Sequence, residues 1–592
     1  MPLLKEVPKV DGHFERYEAV KAKLRGMADS WTDASRTNKA RGFCTKILEA
    51  YWYIEVNKLR SRWLIKRSPF TGQDFTPADI KLAEEIADIL SEFDTKHAGY
   101  YVGTLYTLML PATTRSSLGA FYTPPAVVDR LMDLAEQAGM DFSRGTAIDP
   151  ACGGGAFLAP VAQRMLEKEP RAASAEDTLK RIAGRLKGVE IDPFAAWMSE
   201  VLLEVSLLPL CVEAERRLPK VVQHADTLKI GPQDLERYDL VIGNPPYGRP
   251  KIDEDVREKF SRSIYGHANL YGMFFDLATQ LTKEDGVVAF VTPTSLLGGQ
   301  YFKALRTLLT RETCAASIDF VSDREGVFDD VLQETMLSTF TKKAVPGKTK
   351  VSNLDINDGV HVNIESYGQY RLKDDGEPWF LPRTTKQSSM LAALQAMPTR
   401  LSDLGYSVST GQLVWNRHKK QLRSEKGKGT FHLVWAESVT GDGFKLSSAR
   451  RNHEPYIKLT EKQEFLMTKQ TCVLVQRTTS KEQPRRLSAA VLPKAFLRRN
   501  RAVVVENHLN MISADGGSGV VSTKTIEALL NSEIVDQAFR CISGSVAVSA
   551  YELNALPLPA VTDLVEIEKL LCAGKSKAFI DQAIASYYAP SR

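Results

Sequence analysis

The 592-residue sequence lacks the features that mark membrane, secreted and metal-clustered proteins. No apolar run approaches the roughly 18 residues that a membrane-spanning helix needs, and the first residues mix charges and prolines without the apolar core of a secretory signal. The 7 cysteines are scattered with no CxxC pair, which argues against a disulfide scaffold and a cysteine-based zinc site. We therefore expect a cytoplasmic protein with no membrane segment and no metal site.

Two motifs of nucleotide-dependent and DNA-cleaving enzymes are also missing. The chain has no GxxxxGK(S/T) phosphate loop, and residues 1–112 contain no PD…(D/E)xK nuclease pattern. The composition, 43% hydrophobic and 25% charged, excludes a largely disordered chain. The length allows about three or four domains.

Positive charge is concentrated in one part of the chain. Residues 411–510 contain 20 Lys and Arg against 8 Asp and Glu, a local +12 on a chain whose net charge is +5, so the remainder carries −7. Such a segment indicates a polyanionic partner or a solvated lysine-rich surface, and charge alone does not separate the two.

The pattern of apolar residues divides the chain into four parts. Residues 1–112 are predicted to be mostly helical, with Thr76-Pro77 as a helix start. In residues 113–345 short apolar runs alternate with helical stretches, which predicts an α/β domain with a parallel sheet covered on both faces. Residues 350–560 read as an α+β domain, and residues 561–592 as a helical segment.

Four candidate binding motifs lie at the ends of predicted strands. The first is Asp149 followed by the turn Gly153-Gly154-Gly155, where glycines let the backbone approach a ligand, although a generic strand–helix turn is the alternative. In the second, Glu190 is placed to accept hydrogen bonds from a ribose diol, while Asp192 is better explained as a helix cap. In the third, Asp226 could accept a hydrogen bond from an adenine amine, unless it only stabilises a turn.

The fourth motif is Asn244-Pro245-Pro246-Tyr247. Two consecutive prolines cannot continue a strand ladder, so nearby carbonyls become free acceptors. The Asn244 side-chain oxygen and the Pro245 carbonyl together can take both hydrogens of one amino group, and Tyr247 offers a flat face to the ring that bears it. A rigid turn explains the prolines but not the Asn and Tyr on either side.

The order of these motifs resembles that of TaqI-like, gamma-class N6-adenine DNA methyltransferases of bacterial restriction-modification systems. Residues 121–125 (FYTPP) come first, then DPACGGGAF, the ribose acid, the adenine-binding Asp and NPPY, with a target-recognition domain after them. The resemblance is close over residues 110–345 and weaker over 400–560. It implies a Rossmann-like class I core that uses S-adenosylmethionine, with a C-terminal α+β domain that binds DNA.

The resemblance also implies roles for individual residues. The cofactor residues would be Thr123 and Pro124 at the methionine part, Asp149, Gly153 and Gly155 at the amino-acid and sulfonium end, Glu190 at the ribose, and Asp226 and Thr227 at the adenine. The catalytic residues would be Asn244, Pro245, Pro246 and Tyr247. Tyr247 and Phe328 would stack on the target base. The alternative interpretation of Phe328 is an ordinary buried phenylalanine. The candidate DNA contacts are Arg417, Lys419, Lys420, Arg477, Arg485 and Arg486.

The implied reaction is methyl transfer to the N6 amine of an adenine flipped out of duplex DNA, which would protect host DNA from a separate restriction endonuclease. We expect a monomer in which residues 1–112 support the fold rather than clamp DNA. Three alternatives stay open: a bifunctional restriction–methylation enzyme, an RNA or protein-glutamine methyltransferase of the NPPY group, and a non-enzymatic DNA-binding module with a decayed cofactor fold.

Overall fold

The computed structural model describes residues 12–70, 74–118, 123–170, 173–322, 334–343, 347–357, 361–479, 483–542 and 547–589. The chain divides into two compact units. The first comprises residues 1–293 and 307–365, and the second comprises residues 294–306 and 366–592. The predicted division into four parts is finer than this one and stays a prediction.

The first unit begins with helices, as the apolar spacing predicts for the described part of residues 1–112. They are α1 (Gly12–Asp29), α2 (Asp33–Lys58), α3 (Pro77–Leu90), α4 (Ala98–Met109) and α5 (Ala112–Leu118). The predicted start at Thr76-Pro77 is confirmed, because the Thr76 hydroxyl accepts the Asp79 N–H while the Asp79 carboxylate accepts the Thr76 N–H.

A nine-stranded sheet follows in the order β3-β2-β1-β4-β5-β7-β6-β8-β9. Its strands are β1 (Ala147–Asp149), β2 (Leu186–Glu190), β3 (Val222–His224), β4 (Tyr238–Gly243), β5 (Thr282–Pro293), β6 (Cys314–Ser322), β7 (Thr335–Thr341), β8 (Thr349–Asn357) and β9 (His361–Tyr370). The prediction of a wholly parallel sheet is wrong. Strands β1 to β5 pair in parallel, but β7 lies between β5 and β6 and runs antiparallel to both, because it pairs directly with the preceding strand instead of returning through a helical crossover.

The alternating helical stretches are confirmed as helices between the strands. They are α6 (Pro125–Gln137), α7 (Leu158–Glu167), α8 (Ala175–Arg185), α9 (Pro193–Ser206), α10 (Leu208–Glu213), α11 (Thr227–Ile230), α12 (Glu254–Lys259) and α13 (Leu270–Leu281). The chain continues from β1 to β2 on one side and from β4 to β5 on the other, so strand order reverses between β1 and β4. Open α/β sheets bind ligands at the carboxyl ends of the strands beside such a reversal.

One apolar core joins the N-terminal helices to the α/β part of this unit. Side chains of α1 to α4 pack in a single buried cluster with the outer face of α9, which includes Phe194, Met198 and Leu202. A second cluster lies between the sheet and helices α6 to α8. The N-terminal helices are therefore packed onto a helix that starts three residues after Glu190.

The second unit is α+β, as predicted. Its helices are α14 (Ser295–Gly298), the first turn of α15 (Lys303–Glu312), α16 (Thr385–Ala396), α17 (Lys494–Asn500), α18 (Thr523–Leu530), α19 (Glu533–Arg540), α20 (Ala550–Ala555), α21 (Val561–Cys572) and α22 (Lys577–Tyr587). The last two lie within the predicted helical C-terminal segment, residues 561–592. None of the helices in the described ranges of either unit combines the length and the apolar character that a membrane crossing would require.

Short strands of the second unit form three sheets. The strands are β10 (Tyr406–Thr410), β11 (Leu422–Arg423), β12 (Thr430–Val434), β13 (Val439–Thr440), β14 (Gly443–Phe444), β15 (Tyr456–Lys458), β16 (Met467–Thr468), β17 (Cys472–Gln476), β18 (Ala489–Val491), β19 (Val503–Val505) and β20 (Leu509–Ala514). Their orders are β10-β20-β17-β18, β11-β15-β12-β19-β16 and β13-β14. Much of the basic segment lies on the turns between these strands.

Candidate active site

A cavity of about 410 Å³ lies at the carboxyl ends of β1 to β4. Motif residues from distant parts of the sequence line it: Thr123, Asp149, Gly153, Glu190, Asp226, Thr227, Asn244 and Pro246. Pro124, Gly155, Pro245 and Tyr247 lie beside these residues in the sequence but do not line the cavity themselves. Parallel strands bring their carboxyl ends to one edge of the sheet, which is why these separate motifs converge.

Close backbone packing explains two of the glycines. Gly155 has φ +85°, and a Cβ there would lie 2.7 Å from the Ser199 hydroxyl on α9. A Cβ on Gly243, at the end of β4, would lie 2.7 Å from a carboxylate oxygen of Asp149. Larger side chains at these positions would displace the turn or the acid, so the glycines shape the cavity without lining it.

Glu190 is held by two backbone groups. One carboxylate oxygen accepts the Gly153 N–H and the other accepts the Asp192 N–H, both at 2.8 Å. Burial raises the pKa of this carboxyl, and the neighbouring Asp192 charge raises it further. The arrangement fixes an acceptor at the cavity wall, as a ribose-binding acid requires.

Asp149 is almost completely buried at the end of β1. Burial raises the pKa of its carboxyl to about 8; the Ala151 N–H, 3.0 Å from one oxygen, opposes this shift, and the charge of Glu190 adds to it. A positively charged ligand group beside Asp149 would favour its ionised form.

Asp192 caps helix α9, as expected, and it also contacts two residues of the N-terminal helices. One of its carboxylate oxygens accepts the Phe194 N–H at the start of α9. The same oxygen accepts from Arg41 at 2.8 Å, and the other oxygen accepts the Tyr106 hydroxyl at 3.0 Å. Arg41 and Tyr106 belong to the N-terminal helices, and Tyr106 lines the cavity.

Asp226 and Thr227 lie at the start of α11 and line the cavity, with Asp226 as the N-cap residue. Asp226 accepts the Leu228 N–H at 3.2 Å, so the turn-stabilising alternative describes one of its oxygens. Its other oxygen lies 3.8 Å from the Lys229 ammonium. The Thr227 hydroxyl donates to the Pro150 carbonyl at 2.6 Å, which ties this turn to the glycine loop.

The side chains of the NPPY motif are linked to one another by hydrogen bonds. The Asn244 amide nitrogen donates to the Thr123 hydroxyl at 3.1 Å, and its oxygen accepts the Tyr247 hydroxyl at 2.7 Å. The Tyr247 hydroxyl also lies 3.3 Å from the Val291 carbonyl, and its ring meets Tyr271 edge-on at 6.1 Å. Burial holds the pKa of Tyr247 well above its ordinary value, so this hydroxyl stays a donor.

Three of the residues named from the sequence lie outside the part of the chain that the structure describes. Phe328, the second candidate for base stacking, lies outside the described residues, as do Phe121 and Tyr122 of the FYTPP segment. Pro124, from the same segment, is buried and precedes α6. Among the residues that are described, no group of three or more His, Cys, Asp and Glu side chains is arranged to hold a metal ion.

Reasoning from sequence missed several cavity residues, among them Tyr106 and Ile191. Ile191 is 53% exposed between Glu190 and Asp192, and it lines the cavity. An apolar side chain that stays exposed beside two acids at a strand end offers a flank for an aromatic ring. The signal was present in GVEID, where the apolar pattern continues past the acid.

The candidate DNA contacts fall into three environments. Arg417, Lys419 and Lys420 are exposed on short turns before β11. Arg477 and Arg485 are half-buried and donate to the backbone carbonyls of Asn507 (3.1 Å) and Ser532 (3.0 Å), respectively.

Arg486 departs from the expectation of a DNA contact. Its side chain is 3% exposed and donates to the Thr479 carbonyl at 2.7 Å, while its backbone N–H donates to Asp536. A guanidinium enclosed in this way cannot reach a phosphate without unfolding its surroundings. We therefore remove Arg486 from the candidate DNA contacts and assign it to the packing of the second unit.

The chain is similar in sequence to restriction-modification methyltransferases. Residues 186–328 match the family model described as "Eco57I restriction-modification methylase". The chain is 26% identical over 480 residues to the type II methyltransferase M.BsuBI of Bacillus subtilis, which covers 77% of this chain and 90% of that protein. It is 26% identical over 498 residues to the type II methyltransferase M.PstI of Providencia stuartii, covering 80% and 94%.

A solved structure shares the fold across almost the whole chain. The type IIL restriction-modification enzyme MmeI, in complex with DNA, aligns with a TM-score of 0.55 at 13% identity, covering 99% of this chain and 97% of that one. The α/β fold is thus confirmed, as is the resemblance to restriction-modification methyltransferases. The S-adenosylmethionine cofactor stays a prediction. The gamma class and the residue roles stay predictions.

Proposed function

We propose that this chain transfers the methyl group of S-adenosylmethionine to the N6 amine of an adenine in duplex DNA. One observation carries the proposal: the ribose acid Glu190 and the amine-binding Asn244 line the same cavity, so a cofactor and a target base bound to them would meet. The matched family and the two relatives are restriction-modification methyltransferases, which supports DNA as the substrate.

The cavity fits the cofactor by the chemistry of its walls. Glu190 would accept hydrogen bonds from the ribose hydroxyls, Ile191 would flank the adenine, and Asp226 would accept from its amine. Asp149 is a buried carboxyl without a cation partner among the hydrogen bonds and ion pairs of the described residues. It would therefore bind the positively charged amino-acid and sulfonium end of the cofactor. When bound, S-adenosylmethionine supplies an electrophilic methyl group.

The chain's own residues would orient the amine of the flipped base. The Asn244 oxygen and the Pro245 carbonyl would accept its two hydrogens and leave the nitrogen lone pair aimed at the methyl carbon. Rate enhancement would then come mainly from positioning, since the amine proton can leave after the methyl arrives. Flipping costs a few kcal/mol, which stacking on Tyr247 and the pocket hydrogen bonds would offset.

Methyl transfer from tritiated cofactor tests the proposal directly. We expect label to enter duplex DNA, and not RNA or protein, and to be recovered as N6-methyladenine after digestion to nucleosides. Label in RNA or protein would instead support the other NPPY enzymes, and no transfer at all would support a non-enzymatic DNA-binding module. Plasmid cleavage in the presence of Mg²⁺ would show the bifunctional restriction–methylation enzyme.

We further propose a monomer that protects host DNA from a separately acting restriction endonuclease. The relatives named above are methyltransferases of type II systems, which supports this division of labour. Single-molecule sequencing of DNA from cells that express the chain would report the methylated base, its sequence context and whether both strands carry it.

Exposed lysines of the basic segment are expected to contact phosphates. The double substitution Lys419→Ala and Lys420→Ala should weaken DNA binding and lower the slope of log affinity against log salt by about 2, because each phosphate contact contributes roughly 0.9. Binding measured by fluorescence anisotropy at several salt concentrations checks this. Lys569→Ala with Lys575→Ala, also exposed, makes the same charge change as a control. If the slope of log affinity against log salt is the same in the two double variants, DNA does not contact Lys419 and Lys420.

Cofactor affinity is expected to rise with pH because of Asp149. Burial raises the pKa of Asp149 to about 8, so at pH 7 this carboxyl is mostly protonated before a cationic ligand arrives. Binding should therefore release protons below pH 8, and the dissociation constant should fall as pH increases from about 6 to about 7.5, where the α-amino group of the cofactor is still mostly protonated. Calorimetry in buffers of different ionisation enthalpy measures this release. The Asp149→Asn variant should bind more weakly and lose the pH dependence; an unchanged proton release would exclude Asp149 as its source.

A further inference from the structure

The N-terminal helices make a defined set of contacts with one wall of the cofactor cavity. Asp192 is only 4% exposed there, and its carboxylate is shared between Arg41 on α2 and Tyr106 on α4. Arg41 also lies 3.4 Å from the Tyr106 hydroxyl, so the three side chains form a closed triangle. The residues are far apart in sequence, and the packing of α2 and α4 against α9 brings them together.

Aromatic rings hold this triangle in place. The Arg41 guanidinium lies over the Phe70 ring at 4.7 Å, and Phe70 meets Phe194 edge-on at 5.6 Å. The Tyr106 ring lies 4.8 Å from the same Phe194, the second residue of α9. Arg41 is thus fixed by a stacking contact as well as by its ion pair, and a planar guanidinium suits both contacts better than an ammonium does.

The triangle connects directly to the ribose acid. Asp192 donates its backbone N–H to a Glu190 oxygen at 2.8 Å, and the side chain of Asp192 caps α9. Fixing the Asp192 carboxylate therefore fixes the strand end on which Glu190 and Ile191 face the cavity. Arg41 is the cation that neutralises Asp192, which would otherwise be an unpaired buried charge two residues from Glu190.

We propose that the N-terminal helical region is part of the cofactor site, with Arg41 and Tyr106 as positioning residues for the ribose-binding acid Glu190. This inference rests on the proposed function, since it assigns S-adenosylmethionine to the cavity. It assigns the region a role in cofactor affinity beyond general support of the fold. Neither residue takes part in holding the target amine, so the effect of replacing them should be confined to the cofactor.

Calorimetric titration with S-adenosylmethionine and with its demethylated product tests the proposal without requiring turnover. In Arg41→Ala we expect the dissociation constants of both ligands to rise about tenfold or more, because a buried carboxylate loses its partner beside Glu190. Tyr106→Phe removes one hydrogen bond and keeps the ring, so it should raise them about two- to fivefold. Arg41→Lys should bind the cofactor more tightly than Arg41→Ala but more weakly than the wild type, because lysine keeps the positive charge and lacks the several N–H donors of the planar guanidinium.

Kinetics separate positioning from a general loss of structure. At saturating cofactor, kcat and the KM for DNA should stay within about twofold of the wild type in Tyr106→Phe, while the KM for the cofactor rises. Arg25→Ala, an exposed arginine on α1, serves as the matched control and should change none of these values. If Arg41→Ala is poorly folded by circular dichroism, Tyr106→Phe decides the question alone.

Two different failures are distinguishable. Wild-type protein that binds the cofactor and methylates DNA, with Tyr106→Phe and folded Arg41→Ala showing unchanged cofactor affinity, would overturn this inference and leave the proposed function intact. Wild-type protein that binds no S-adenosylmethionine would overturn the proposed function, and the inference with it.

Discussion

Replacing Asn244 by alanine should lower the methylation rate by about 10³-fold, because the acceptor that positions the amine in the transition state is removed. The dissociation constant for S-adenosylmethionine should change by less than about threefold, since the acids at the ends of β1, β2 and β3 remain in place. Single-turnover assays with radiolabelled cofactor measure the rate, and calorimetry measures the affinity.

The neighbouring contacts of Asn244 define the controls. Asn244→Asp keeps one oxygen acceptor but loses the amide that donates to Thr123, so it should retain more activity than Asn244→Ala. Asn38→Ala, an exposed asparagine on α2, should leave both rate and affinity unchanged. Full activity in Asn244→Ala would remove the NPPY motif from the catalytic site and, with it, the proposed orientation of the target amine.

The sequence predicts best the strands and strand ends that a few consecutive residues define. Buried strands that end in an acid or an Asn are short apolar runs followed by a polar residue, so the sequence alone predicts that Asp149, Glu190 and Asn244 lie at strand ends. The parallel-strand rule then places them at one edge of the sheet. Their position on one cavity agrees with this reasoning.

The contacts that sequence could not predict are set by tertiary packing. Nothing local in the sequence links Arg41 to Asp192, 151 residues away, because the link depends on how α2 packs against α9. Arg486 lies in a run of basic residues that reads as a surface, yet the fold of the second unit encloses it. The antiparallel course of β7 likewise depends on its neighbours in the sheet, since an apolar run predicts a strand but not its direction.

The Tyr247 hydroxyl is hydrogen-bonded to the atom of Asn244 that the target base is proposed to use. It donates to the Asn244 oxygen at 2.7 Å, which is the oxygen proposed to accept the amine. The oxygen of the half-buried Asn244 amide is costly to leave without a donor, and Tyr247 supplies one in this structure. An entering adenine amine must therefore either displace this hydroxyl or share the oxygen with it through the second lone pair.

Two substitutions at Tyr247 separate the hydroxyl from the ring. Tyr247→Ala should lower the single-turnover rate by about 10- to 100-fold, because stacking on an aromatic ring is worth roughly 1–3 kcal/mol per base. Tyr247→Phe keeps the ring and removes the competing donor, so its rate should equal or exceed that of the wild type. Tyr53→Phe, at an exposed tyrosine on α2, controls for the loss of a hydroxyl elsewhere.

The comparison of the two variants decides which part of Tyr247 matters. Single-turnover rates on unmethylated plasmid DNA at saturating enzyme and cofactor exclude effects on cofactor binding and product release. If Tyr247→Phe loses as much activity as Tyr247→Ala, the hydroxyl itself is required and does not merely occupy the Asn244 oxygen before the base arrives. If both variants keep the wild-type rate, the stacking surface is formed by another residue, and Tyr247 serves to support the NPPY turn.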